Sequence, residues 1–244
     1  MKKVLVLPAY NAVKTLEATV RSLPAGVFGE VILVDDRSSD GTFELARSLG
    51  IRAERHAENR GYGANQKSCY RLALESGADI VAMLHPDYQY DPRVLPFLTG
   101  IIEAGVCDVV LGNRIRTRAE ALAGGMPVYK YAANRLLTVA ENLAAGQNLG
   151  EWHSGLRAYS REALLAVNWE ANSDGFVFDS QFLFQAAFRG LRIGDIPVPA
   201  RYFPEASSIG PGASLLYGAG TLAAMGEFLL NKTGLVSTRR YGRP

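Results

Sequence analysis

"VILVDDRSSDGTFELARSLG", Val31 to Gly50, holds the pattern that decides the fold. An unbroken apolar, β-branched run ends on two acids. A polar turn with one glycine follows, and then a stretch of helical length that closes on Gly50. A run that is apolar without alternation reads as a strand covered on both faces. The same unit recurs along the first half. "KVLVLP" precedes "VKTLEATVRSL", "IRAERH" precedes "GANQKSCYRLALESG", "DIVAML" precedes "RVLPFLTGIIEAG", and "DVVLGN" closes the series. Strands alternating with helices at this spacing predict an α/β fold, a doubly wound and mostly parallel sheet flanked by helices. Ligands of such sheets bind outside the carboxyl ends of the strands. The residues that matter are therefore Pro8 to Asn11, Asp35 and Asp36, His85 and Asp87, and Gly112 to Arg114.

Bulk properties narrow the class. A chain of 244 residues suffices for one large domain with a short appendage. The division expected is 1–210 for the α/β domain and 211–244 for an apolar helical segment with a basic tail. Net charge is +2, and Lys and Arg are scattered rather than striped with aromatics, which argues against a nucleic-acid partner. Cys69 and Cys107 form no paired motif and read as buried free thiols, which suits a reducing compartment. The basic start "MKKVLVLPAYN" carries too short an apolar run for a signal peptide and reads as the first strand. No stretch approaches the ~20 apolar residues of a membrane span. The localisation expected is cytoplasmic.

After Asn113 the chain changes character. "RIRTRAEALAGGMP" reads as a basic, mobile connection, followed by a helix near Val128 to Ala145. "SGLRAYS" is strand-like, "REALLAV" helical, and "FVFDSQFLFQAAF" a strongly apolar helix holding one carboxylate, Asp179. "LRIGDIPVPARYF" reads as a late edge strand punctuated by proline.

Each cluster admits a structural use beside a chemical one. Ser38, Ser39 or Asp40 can cap the helix that follows them. Capping does not account for Asp35 and Asp36, adjacent acids that repel unless a cation or a donor satisfies them. Nucleobase N–H and ribose hydroxyl groups are suitable donors. A phosphate-accepting receiver domain also begins with paired acids, but "LHPD" and "LGNR" on later strand ends fit it poorly. Gly61-x-Gly63 lacks the third glycine of a dinucleotide fingerprint and follows the third strand. As a helix N-terminus beside Asn59 and Lys67, it can still face a nucleotide. Asp91-Pro92 suits a helix start as well as a supporting acid.

Taken together, "PAYN", "VDDRSSDGT", "NRGYGAN", "HPDYQYDP" and "GNR" resemble, in order and spacing, the family-2 glycosyltransferases of GT-A fold. The branch resembled holds the dolichyl-phosphate mannose synthases and related polyprenyl-phosphate sugar transferases. The likeness covers Val4 to Tyr159 well and Phe176 to Ser208 more loosely. It implies that Pro8, Ala9, Tyr10, Asn11, Asp35 and Asp36 hold the base and ribose of a nucleotide sugar, with Gly63, Lys67 and Pro86 beside them. Arg114, in the family's Gly-Ser-Arg turn, is implied to meet phosphate. The family's Asp-x-Asp-x-Gln metal motif falls on His85-Pro86-Asp87-Tyr88-Gln89, so Asp87 is kept and His85 replaces the first acid. A cation, Mn²⁺ or Mg²⁺, suits this place because the departing nucleoside diphosphate gains negative charge. His85 either joins Asp87 as its ligand or only hydrogen-bonds at the strand end.

Asp179 matches the family's late acid on the acceptor side. It is either a base or a buried, hydrogen-bonded residue. A polyprenyl phosphate acceptor is already largely ionised at neutral pH and needs no strong base. Arg116, Arg118 and Arg201, with "YFPEASS", are candidates for holding that phosphate, although Arg116 and Arg118 equally suit a solvated surface. The resemblance thus implies an inverting hexosyltransferase that uses a nucleoside diphosphate sugar. The rivals are a transferase with a soluble acceptor and an inactive sugar-nucleotide-binding protein. The apolar Gly212 to Leu230 segment with Lys232, Arg239, Arg240 and Arg243 either lies on an anionic membrane face or packs on the domain or on a second subunit of a homo-oligomer.

Overall fold

The computed structural model describes residues 1–201 and 211–242. The "YFPEASS" stretch, 202–208, and Arg243 lie outside the described residues. One seven-stranded sheet runs in the order β3-β2-β1-β4-β6-β5-β7. Its strands are β1 (Lys3–Ala9), β2 (Glu30–Asp35), β3 (Arg52–Arg55), β4 (Ile80–Leu84), β5 (Val109–Asn113), β6 (Leu156–Ser160) and β7 (Ile193–Pro197). The pairings β1–β2, β1–β4, β2–β3 and β5–β7 are parallel. The middle strands are buried on both faces, as their unbroken apolar runs require, whereas the edge strand β3 alternates. Side-chain alternation sends Val4, Val6, Val81 and Met83 to one core and Leu5, Leu7, Ala82 and Leu84 to the other.

Helices α1 (Val13–Arg21), α2 (Thr42–Ser48), α3 (Tyr62–Glu75) and α4 (Leu95–Glu103) connect the first strands. The connection expected to be mobile instead contains α5 (Arg118–Ala123), because Thr117 caps it by accepting a hydrogen bond from the Glu120 N–H. The remaining helices are α6 (Val128–Ala145), α7 (Arg161–Ala166), α8 (Phe178–Phe188) and α9 (Pro211–Lys232).

Two features place the site. β6 runs antiparallel to both β4 and β5, with Leu84 opposite Leu156. The chain just before β6 therefore arrives at the carboxyl edge of β4. Second, α9 packs on α8, with Phe228 fully buried and its ring 5.2 Å from Phe184. The tail folds back on the same face: Tyr241 packs on Phe188 and Phe228, and Arg240 pairs with Glu227.

Candidate active site

A cavity of about 750 Å³ opens beyond the carboxyl ends of β1, β2 and β4 and is roofed by α6 and α9. Its floor comes from the strand ends: Pro8, Ala9 and Tyr10 after β1, Asp36 after β2, His85 and Asp87 after β4, and Arg114 after β5. Asn65 of α3 donates to the carbonyls of Ala9 (3.2 Å) and Val34 (3.0 Å), which ties β1 to β2 beneath the floor. Helix α6 adds Tyr129, Lys130, Ala133, Asn134 and Leu137, and α9 adds Ser214 and Tyr217. Three carboxylates, Asp36, Asp87 and Asp179, thus share the cavity with Arg114 and Lys130.

The paired acids of β2 find their donors inside the protein. Asp35 is fully buried, accepts from the Ser38 N–H (3.1 Å) and pairs with Arg55 (3.0 Å). It does not reach the cavity, and neither does Asn11. Asn11 takes a left-handed turn at φ 51° and pins the loop between β2 and α2, donating its N–H to Ser38 Oγ (2.8 Å) and accepting from the Ser39 N–H (3.0 Å). Asp36 lines the cavity but accepts from Arg60 N (2.8 Å) and Gly61 N (2.9 Å) and meets His56 Nδ1 at 2.7 Å. It shapes the wall where α3 begins. Asp40 accepts from the Thr42 N–H and from the Val13 N–H, each at 3.0 Å, so it serves the first turns of two helices.

Gly63 and Lys67 are turned away from the cavity, contrary to the expectation that they meet the nucleotide. The Lys67 ammonium donates to the Asn172 carbonyl (2.6 Å) and to Asp174 (2.8 Å). Gly63 lies against the same segment: a Cβ there would stand 2.3 Å from the Ser173 carbonyl oxygen and 2.9 Å from both the Gly175 oxygen and the Phe178 Cβ. Gly63→Ala is accordingly expected to destabilise the fold by about 2–4 kcal/mol, since backbone rather than a flexible side chain must yield. Equilibrium urea unfolding checks this. A variant as stable as wild type would mean that the 173–175 segment moves freely.

The metal-motif loop is tightly built. Asp87 lines the cavity, is nearly buried, and accepts from the Gln89 N–H at 3.0 Å across Tyr88, which adopts φ 58°. A bulky residue in that region is uncommon and marks a turn held by its surroundings. Gln89 also faces the cavity. Pro86 does not; its carbonyl accepts from Thr15 Oγ1 at 2.6 Å. Asp91 caps a short 3-10 turn, accepting from the Arg93 N–H, so it acts as a helix start.

His85 is packed rather than loose. Its ring stacks on Tyr62 with centroids 5.3 Å apart, and its Nε2 lies 3.1 Å from the Tyr62 hydroxyl. Gly155, delivered by the antiparallel β6, leaves room for the imidazole, because a Cβ would come within 2.4 Å of His85 Cδ2. Burial depresses the His85 pKa below its ordinary value, although Asp87 and Asp179 act against it. Asp179, on α8, accepts from Tyr62 OH (2.7 Å) and Gln66 Nε2 (3.1 Å) and has the buried Arg157 guanidinium 3.6 Å away. Burial and the neighbouring Asp179 raise the Tyr62 phenol well above its usual value, so it stays protonated.

Arg114 is held by a residue that its place in the sequence does not advertise. Glu151, fully buried, accepts from the Arg114 N–H (2.9 Å) and from its guanidinium, while His153 O takes a further bond at 2.9 Å. Burial pushes the Glu151 carboxyl up, but Arg114 outweighs it and holds the group below its ordinary range. Arg116 is exposed and pairs with Glu120, and Arg118 is exposed; neither lines the cavity. Arg201 lines a smaller cavity of about 380 Å³ bounded also by Tyr88, Asp91 and Arg93. The acceptor cations expected from sequence are thus not gathered in the main cavity, whereas Lys130 is.

The family model for glycosyl transferase family 2 matches residues 4–167, a span that includes every strand-end cluster of the cavity floor. The chain belongs to glycosyl transferase family 2. It is therefore a glycosyltransferase, as the strand-end residues led us to expect. Among its relatives is the UDP-N-acetylglucosamine–dolichyl-phosphate N-acetylglucosaminyltransferase of Methanococcus voltae, 27% identical over 81% of this chain and 85% of that one. Another is the undecaprenyl-phosphate mannosyltransferase of Micrococcus luteus, 27% identical over 81% of this chain and 83% of that one. Glucosyl-3-phosphoglycerate synthase of Mycobacterium tuberculosis, solved with Mn²⁺, UDP-glucose and phosphoglyceric acid, superposes with a TM-score of 0.70. That match covers 97% of this chain and 81% of the other at 22% identity, and it shows that this family-2 glycosyltransferase has the GT-A fold.

Proposed function

We propose that the protein transfers a sugar from a nucleoside diphosphate donor to a polyprenyl phosphate at a membrane surface, with inversion at the anomeric carbon. The observation that carries this reading is the outward face of the cavity roof. On α6, Val128, Ala132, Leu136, Val139 and Leu143 follow one another at helical spacing, and all are exposed. The polar residues of that helix, Lys130, Asn134, Arg135, Thr138, Glu141 and Asn142, are all buried or half-buried. Neighbouring α9 repeats the pattern with Leu215, Leu216, Ala219, Leu222, Leu229 and Leu230. The acids of these helices are covered or paired: Glu141 is buried, and Glu227 pairs with Arg240. Leu136 and Leu143 are 73% and 80% exposed, an arrangement that water disfavours and a bilayer interface accepts. No described helix is long and apolar enough to cross a membrane. The same two helices line the cavity, so a lipid phosphate entering from the interface meets Lys130 inside. The named lipid-phosphate acceptors of the relatives support the reading.

Within the cavity, Pro8, Ala9, Tyr10 and Asp36 form the nucleotide end, and Arg114, held flat by Glu151, meets the diphosphate. A phosphate oxygen of the acceptor forms the new bond to the anomeric carbon as the bond to the nucleoside diphosphate breaks on the opposite face. That oxygen is already ionised, so no proton has to be removed, and Asp179 borders the acceptor's path as a fixed negative charge rather than acting as a base. Among the described residues, no three His, Cys, Asp or Glu side chains converge as a preformed metal cage. Asp87, with Gln89 and His85 beside it, fits a cation that takes its other ligands from the donor's phosphates and water. A divalent cation bound there would neutralise charge on the departing diphosphate.

Vesicle co-sedimentation tests the membrane half. Wild type is expected to sediment with phosphatidylglycerol-containing vesicles, and the double substitution Leu136→Glu/Leu143→Glu to weaken this by roughly tenfold or more. Nucleotide binding should be unchanged, because neither leucine lines the cavity. Absence of vesicle binding by wild type would remove the lipid-surface reading and favour a soluble acceptor.

A further inference from the structure

We infer that Tyr62 is the positioning residue that joins the donor half of the site to its acceptor half, an inference that rests on the reading of the cavity above. The phenol belongs to the first turn of α3, and its ring lies between His85 (5.3 Å) and Phe176 (5.0 Å). Its hydroxyl touches both sides of the chemistry: it donates to Asp179 Oδ2 at 2.7 Å and lies 3.1 Å from His85 Nε2. A hydroxyl carries one proton. That proton serves Asp179 while His85 Nε2 stands against the same oxygen, so displacement of either partner is transmitted to the other.

Of the described groups that hold Asp179, only Tyr62 lines the cavity. Gln66 and Arg157 approach the carboxylate from inside the protein and are themselves fully buried. Gln66 is fixed in turn by Tyr70 OH, and Arg157 donates to the carbonyls of Ser154 (2.8 Å) and Trp152 (3.0 Å). That inner support fixes where Asp179 stands, and Tyr62 fixes which way its open oxygen faces. An ionised acceptor oxygen brings no proton to Asp179, so the carboxylate keeps its bond from the Tyr62 hydroxyl and faces the acceptor as a fixed negative charge. The hydroxyl thus sets the spacing between the acceptor and the loop that bears His85 and Asp87.

Tyr62→Phe removes the hydroxyl and keeps the ring. The test compares wild type, Tyr62→Phe, Asp179→Asn and the double variant. UDP-, GDP- and dTDP-hexoses serve as donors and undecaprenyl phosphate in detergent micelles as acceptor, the fastest wild-type pair being carried through. Tyr62→Phe is expected to lower kcat roughly tenfold or more and to leave donor affinity, measured by calorimetry with Mn²⁺, within about twofold. In the Asp179→Asn background the same substitution should cost less than about threefold, because the two side chains act as one unit. A fully active Tyr62→Phe, or losses that multiply in the double variant, would overturn the inference while leaving the site intact. Full activity of Asp179→Asn would instead sink the acceptor-side reading on which it rests.

Discussion

Asp87→Asn is expected to lower turnover by roughly a thousandfold or more at saturating Mn²⁺, while the melting temperature stays within a few degrees of wild type. The asparagine keeps the side-chain oxygen that accepts from the Gln89 N–H, so the loop holds its shape. What disappears is the one acid of the loop that faces the cavity, and with it the charge that holds a cation against the donor's diphosphate. The loss should show both in kcat and in Mn²⁺-dependent donor binding by calorimetry. His85→Asp is the companion experiment. Imidazole nitrogen is a poorer partner for Mg²⁺ than for Mn²⁺. If His85 ligates, the aspartate shifts preference towards Mg²⁺; unchanged preference would reduce His85 to the packing it makes with Tyr62 and Gly155. A fully active Asp87→Asn would remove the cation from this loop altogether.

The second large effect belongs to Arg114→Ala, which acts on stability as well as on activity. Arg114 is the charge partner of a fully buried carboxylate, Glu151, and removing one member of such a pair costs about 3–5 kcal/mol. The pH dependence identifies the cause. In wild type the Glu151 pKa is lowered from 4.5, so the pair contributes fully above that pH and loses its contribution as pH falls through the lowered folded value. In the variant, burial acts without Arg114 and raises the carboxyl, which protonates more readily than in the unfolded chain. The stability gap should therefore be widest near neutral pH and close as pH drops below 4.5. Urea midpoints measured from pH 4 to pH 8 check this, and a gap independent of pH would assign the loss to packing. Arg114→Ala/Glu151→Gln should recover part of the stability at neutral pH but none of the turnover.

Much of this was legible in the sequence because it depends on local pattern. Apolar runs ending in polar turns placed the strand ends, and the strand ends placed Pro8, Asp36, His85, Asp87 and Arg114 around one opening. The sequence was less informative where a side chain has two uses. Asp35, Asn11, Gly63 and Lys67 carry motif-like residue types, yet each is consumed by contacts that close turns or dock the 172–175 segment. Glu151, His153 and Gly155 went unread for a topological reason. They reach the site only because β6 inserts antiparallel between β4 and β5, and nothing in "EWHSGLR" by itself states its direction. Tyr62 and Gln66 sit in the first turns of α3, where the sequence alone does not say which side chains turn to the cavity and which to the core. Helix α6 was recognised as a helix, but which of its faces looks outward depends on what it covers.

Radiolabelled product extraction tests the central claim most directly. The protein is incubated with each labelled nucleoside diphosphate sugar, Mn²⁺ and undecaprenyl phosphate, and the label is followed into the organic phase. A polyprenyl-phosphate sugar transferase places it there in proportion to the nucleoside diphosphate released, and only when the lipid phosphate is present. Label that stays in water while donor is consumed, or donor that binds and is never consumed, would contradict that function.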